Sequence, residues 1–170
     1  MRTFLGIVLL SVALSSCATP PPPATKLEKA NVLPLAINDN FQFRKAKLYY
    51  FNDLPQPPTT SEPVIFERAR MERDVLNNYD RDRLHGNYYT IFWRTSERAD
   101  VTIRLEYRQA ALGDYVMAQE HYYPEAKGSY QSEFKVIGDD YQEFGRVTSW
   151  RALLIVDGRI VALKQSFMWK

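Results

Sequence analysis

The sequence predicts an all-β fold, an antiparallel two-sheet sandwich of immunoglobulin-like kind, with a β-barrel as the alternative. Three observations lead there. Aromatic residues, which favour strands, make up 14% of the 170 residues, with eleven Tyr and nine Phe. Short runs alternate between apolar and polar residues from about Phe41 onward, the period of a half-buried strand. Turn residues separate these runs at near-regular spacing, as in sandwiches and barrels.

The first forty residues read differently. Arg2 supplies a positive charge, and residues 4–14 are apolar and uncharged. That run is too short to span a bilayer, which takes about 20 apolar residues, and has the length of a signal-peptide core. Leu14-Ser15-Ser16-Cys17 follows and resembles the lipobox of bacterial lipoproteins. The resemblance covers residues 1–17 only. It implies removal of residues 1–16 by cleavage between Ser16 and Cys17, a diacylglycerol on the Cys17 thiol and an acylated α-amine. Two or more acyl chains give stable membrane anchoring. By the same resemblance, Ala18, in place of an Asp that would favour the inner membrane, points to the outer membrane, facing the periplasm. Residues 17–40 are expected to form a tether, because Pro20-Pro21-Pro22-Pro23 imposes an extended polyproline helix. The folded domain is expected over 41–170.

Within that domain the elements follow in order. Residues 43–51 predict a first strand, and the proline-broken stretch 54–63 a loop. Residues 64–70 suit a second strand, although Ile65, Ala69, Leu76 and Tyr79 also fit a helical stripe. A short helix over 78–84 is expected, capped by Asn77 or Asn78. Residues 88–94 are apolar on both faces, hence a central strand. Val101, Ile103, Leu105 and Tyr107 alternate with Thr102, Arg104, Glu106 and Arg108, which predicts one face in the core and one in water. Residues 115–123 and 130–137 predict two further strands around Pro124-Glu125-Ala126-Lys127-Gly128. Asp157-Gly158 is a type I′ hairpin signal. It pairs Val156 with Arg159, then Leu154 with Val161, Ala152 with Leu163, Trp150 with Gln165 and Thr148 with Phe167. Trp150 or Trp93 is expected to fill the core, and Tyr141 suits a tyrosine corner.

Composition narrows function. The formal net charge is +2, which lacks the basic excess of a nucleic-acid binder. Cys17 is the one cysteine, so no internal disulfide forms and the lipid takes the thiol. His85 and His121 lack metal-ligand spacing and read as ordinary, partly exposed side chains. Asp139-Asp140 and Asp80-Arg81-Asp82 lack the further oxygen ligands of a calcium loop. The mixed-charge stretch 67–74 reads as a solvated face. No serine elbow or phosphate-cradling glycine loop occurs, so neither metal nor cofactor is implied and the chain reads as a non-enzyme. Tyr49-Tyr50, Tyr88-Tyr89 and Tyr122-Tyr123 are adjacent pairs, and on a strand one member of each pair faces outward. Tyr50, Tyr88 and Tyr122 are thus a candidate platform for stacking sugars or a peptide. The expectation is an envelope lipoprotein acting as a structural or protein-interaction module, with glycan or peptidoglycan-fragment binding as the alternative and a hydrolase behind both.

Overall fold

The computed structural model describes residues 23–52, 59–73 and 82–170. Strands are β1 (Thr25–Leu27), β2 (Phe41–Phe51), β3 (Gly86–Gln109), β4 (Met117–Ile137), β5 (Val147–Val156) and β6 (Arg159–Gln165). Helices are α1 (Glu62–Arg73) and α2 (Asp139–Phe144), with a 3-10 turn at Ala110–Leu112. All six strands belong to one sheet, in the order β1-β4-β3-β5-β6 with β2 added to β3. Every pairing between them is antiparallel. The all-β, antiparallel expectation therefore holds.

Two pairs of expected strands are each one strand. Residues 88–94 and 101–108 run together in β3, and 115–123 and 130–137 run together in β4. Pairing between β3 and β4 shifts between Thr95 and Val101, and Glu125 sits at φ 47. A bulge of this kind bends a strand without ending it, so Pro124 and its neighbours mark a fold in the strand and not a loop. β2 takes the first part of the β3 edge, from Gly86 to Thr95. β5 takes the later part, from Thr102 to Gln109. Bent at the middle, the long hairpin lays its base half (β2 and residues 86–95 and 128–137) against its tip half. Trp93 of the base half stacks on Tyr130 at 4.7 Å and meets Tyr123 of the tip half edge-on at 5.2 Å. Tyr89 meets Trp150 edge-on at 5.9 Å. Both tryptophans named from sequence are in this core.

The final hairpin departs from its expected register. Asp157 and Gly158 are at φ 49 and 69, a type I′ turn that glycine adopts without strain, and Val156 pairs with Arg159 as expected. The register then shifts: Ile155 pairs with Ile160, but Leu154 pairs with Ala162, Leu153 with Leu163 and Arg151 with Gln165. Val161 is the extra residue. Val161 and Ala162 are both buried, which strict alternation forbids and a bulge permits. Leu163 and Phe167, which the expected register sets opposite Ala152 and Thr148, are exposed.

The N-terminal segment is built into the domain. β1 pairs with β4, Thr25 opposite Glu120. Further on, the Ala36 and Asn38 amides donate to the Ile160 and Val161 carbonyls at 2.8 and 2.9 Å, and the Ile160 amide donates to Pro34 at 2.9 Å. Residues 25–38, expected as tether, are thus part of the fold. Residues 64–70 are helical, the alternative to the expected strand. Pro63 is tolerated early in a helix, and the Val64 and Ile65 amides both reach the Ser61 carbonyl at 3.0 Å. Most of the expected helix over 78–84 lies outside the described residues, as do Leu76 and Tyr79.

Candidate functional site

Alternation along β4 places Gln119, His121 and Tyr123 on the inward face, opposite Leu105, Ile103 and Val101. From there they reach the second half of their own strand. The Gln119 amide donates to the Lys135 carbonyl at 2.8 Å. His121 Nε2 meets the Glu133 carbonyl at 2.7 Å, so that nitrogen carries the proton. The Tyr123 hydroxyl lies 3.4 Å from the Gln131 carbonyl and 2.7 Å from Ser132 Oγ. Every second carbonyl of that edge is met by a side chain, where a neighbouring strand would normally supply amides. A side-chain seam thus joins the two halves of β4. His121 is buried, against the expectation of partial exposure, and its ring meets Phe134 edge-on at 4.6 Å. Its Nδ1 is buried without a partner among the described residues.

Beside the seam lies a hollow of about 470 Å³ lined by Pro23, Ala24, Lys26, Gln119, His121, Glu133, Lys135 and Asp140. Lys26 on β1 and Asp140 on α2 pair at 2.7 Å across it. Two ammonium groups and two carboxylates around one polar hollow can hold a ligand bearing both charge signs. A second space of about 280 Å³ lies between α1 and the outer side of β2 and β3, lined by Lys45, Lys47, Leu48, Tyr49, Pro63, Val64, Arg70, Tyr88 and Thr90. Its walls are largely apolar and its charges are all cationic.

The outward positions of β3 hold a surprise. Arg104 and Glu106, expected in water, are buried. Glu106 bonds Arg151 at 2.6 Å and lies 3.5 Å from Arg104, which bonds Glu120 at 2.5 Å. Arg104 also donates to the Asn31 carbonyl at 2.9 Å. Arg108 and Arg151 both lie on the Trp169 ring, at 4.7 and 4.8 Å. Residues 29–33 line a hollow with Glu106, Arg151 and Leu153, covering this face. The sequence carries little signal for this cover: the segment is held by backbone bonds, and Val32, Leu35 and Ile37 stay exposed.

The tyrosine platform is not assembled. Tyr88 is buried and donates to the Leu84 carbonyl at 2.6 Å. Burial first, and Tyr49 second, push its hydroxyl up to about 12. Tyr50 is half-buried, its hydroxyl on that of Tyr141. That contact also occupies Tyr141, whose hydroxyl is pushed up to about 12 by burial and then by Tyr50, in place of the backbone bond of a tyrosine corner. Tyr122 is exposed, on the tip half of the sheet. Its bond to Asp100 raises its pKa, while the Glu125 amide is the main cause holding Asp100 below the usual carboxylate range. Cys17, Ser16 and Ala18 lie outside the described residues. No group of three metal-ligating side chains occurs among the described residues. The chain matches no family model, no curated protein and no solved structure.

Proposed function

We propose that the chain is a bacterial envelope lipoprotein, anchored by lipid on Cys17 in the outer membrane and facing the periplasm, whose β domain is a non-catalytic structural or protein-interaction module. The supporting observation is the entry of the chain into the sheet at Thr25. Residues 18–24 alone separate Cys17 from β1, a reach on the order of 25 Å. A lipid at Cys17 therefore holds the domain near the headgroups, where it engages another envelope protein. The near-neutral charge supports no nucleic-acid role. The facing halves of the sheet support a sandwich-like reading of the fold, closed by side chains where a barrel would close by backbone pairing. Replacing Cys17 with Ala should abolish lipid labelling and free the protein from membranes; continued labelling would overturn the anchor. Affinity capture with the lipidated protein should return one reproducible envelope partner. A monomer with no such partner would overturn the module reading.

The polar hollow favours a second reading, binding of a glycan or peptidoglycan fragment. This reading moves the ligand from the expected tyrosines to Lys26, Glu133, Lys135 and Asp140. Co-sedimentation with purified cell-wall polymer tests it, and equal pelleting of the wild type and a Lys26→Ala/Lys135→Ala variant would end it.

A further inference from the structure

We infer that the outer face of the base half, carried by β2, the first half of β3 and the second half of β4, rests on an anionic bilayer and binds its headgroups. This rests on the lipid at Cys17.

Register defines the face. Lys45 lies opposite Phe92, Lys47 opposite Thr90 and Tyr49 opposite Tyr88. On the other side Phe92, Thr90 and Tyr88 face Gln131, Glu133 and Lys135. Tyr89, Ile91 and Trp93 point into the core, so these alternate positions point out. Arg94 adds a further exposed cation in the same alternation. Lys45, Lys47, Arg94 and Lys135 thus share a face on which Glu133 is the acid among the described strand positions, with the exposed Glu62 on the neighbouring α1, and Lys45, Lys47 and Lys135 are exposed.

The opposite outer face is already occupied. There Arg104 and Arg151 are taken up by Glu106 and Glu120, and residues 29–33 and Trp169 cover them. On the base half Arg94 donates to Gln42, while Lys45, Lys47 and Lys135 form no ion pair among the described residues. The base half also has apolar matter beside it. The largely apolar groove of about 280 Å³ lies between this face and α1, and Ile65 and Phe66 on α1 are exposed. Lys47 lies over the Phe92 ring at 5.7 Å. Cations interleaved with exposed apolar side chains suit the headgroup region, where amines meet phosphates and apolar groups enter the acyl boundary.

The anchor argues for a bilayer as the occupant. Pro23 lines the hollow together with Glu133 and Lys135, so the chain arrives at the margin of this face. From Pro23 back to Cys17 the backbone reaches about 20 Å. The lipid therefore holds this margin near the headgroups, and an anionic surface attracts each basic residue within a Debye length.

The test uses the lipidated protein in phosphatidylcholine vesicles, with and without about a third phosphatidylglycerol, and amine-reactive labelling read by mass spectrometry. Labelling of Lys45, Lys47 and Lys135 should fall roughly fivefold on the anionic vesicles, and salt at about 0.5 M should restore it. Lys29 and Lys164 should label equally on both. Equal labelling of Lys45, Lys47 and Lys135 on both vesicle types would overturn the docking face and leave the anchor standing, since the protein still floats with the vesicles. Failure to float with phosphatidylcholine vesicles would overturn the anchor, and the docking face with it.

Discussion

At the scale of single residues, stability rests on polar groups buried in unusual places. Gln119 and His121 each satisfy a carbonyl on an edge that no described strand covers. Gln119→Leu or His121→Phe leaves that acceptor buried and unpaired, so each should cost about 1–3 kcal/mol in urea unfolding. A fully exposed edge would hydrate the carbonyl instead, and a cost near zero would then be measured. Glu106 bonds the half-exposed Arg151 and lies 3.5 Å from the buried Arg104. Glu106→Leu should cost about 2 kcal/mol, because the buried Arg104 then loses one of its two carboxylates and keeps Glu120. Adding Arg104→Met should recover part of that loss. The tyrosine hydroxyls give a pH dependence of known sign. Burial raises Tyr88 and Tyr107 to about 12, while an unfolded tyrosine ionises near pH 10. Above about pH 10 the unfolded state therefore releases protons that the folded state keeps. Their contribution is intact below pH 10 and is lost as pH rises through 12, so the melting temperature should fall over that window. Tyr107→Phe should make the fall shallower.

At the scale of elements, the sequence was legible where a pattern is local. Composition and alternation marked the strands, and Asp157-Gly158 marked the hairpin, because period and turn chemistry act over a few residues. Non-local causes were hidden. The slip at Val161 comes from both Val161 and Ala162 seeking the core. The merging of four expected strands into β3 and β4 comes from bulges, which look like turns in a sequence. Arg104 and Glu106 read as wetted because residues 29–33, which cover them, are distant in the chain. The candidate site was legible only in part: Tyr50, Tyr88 and Tyr122 alternate as strand residues do, but their separation in space is a property of the sheet, and His121 carried no spacing signal at all. One glycine tests how closely β3 and β4 approach. A Cβ on Gly86, at φ +144, would stand 2.1 Å from the Val136 carbonyl oxygen. Gly86→Ala should therefore cost about 3 kcal/mol, measured by thermal unfolding, whereas an Ala that left stability unchanged would mean the strands part there.

At the scale of the whole molecule, the boundary of the domain moves toward the N-terminus. A protein beginning at Phe41 would lose β1 and the segment paired with β6, baring Leu153 and the Arg104–Glu106 pair to water. It should melt well below a protein beginning at Ala18, by differential scanning calorimetry; equal melting would return residues 25–38 to the role of a tether. The pairing of Thr25 with Glu120 and of Leu35 with Ile160 also sets an order of events in time. Chains are made from the N-terminus, so the first strand exists long before its partner. Loop-closure entropy further delays contacts between distant residues. The hairpin of β3 and β4, contiguous in sequence, is the first large piece able to form, and the N-terminal segment docks last. The N-terminal end of the chain is thus the last to fold, and until it docks, Leu153 and the Arg104–Glu106 pair are what a holding chaperone would meet.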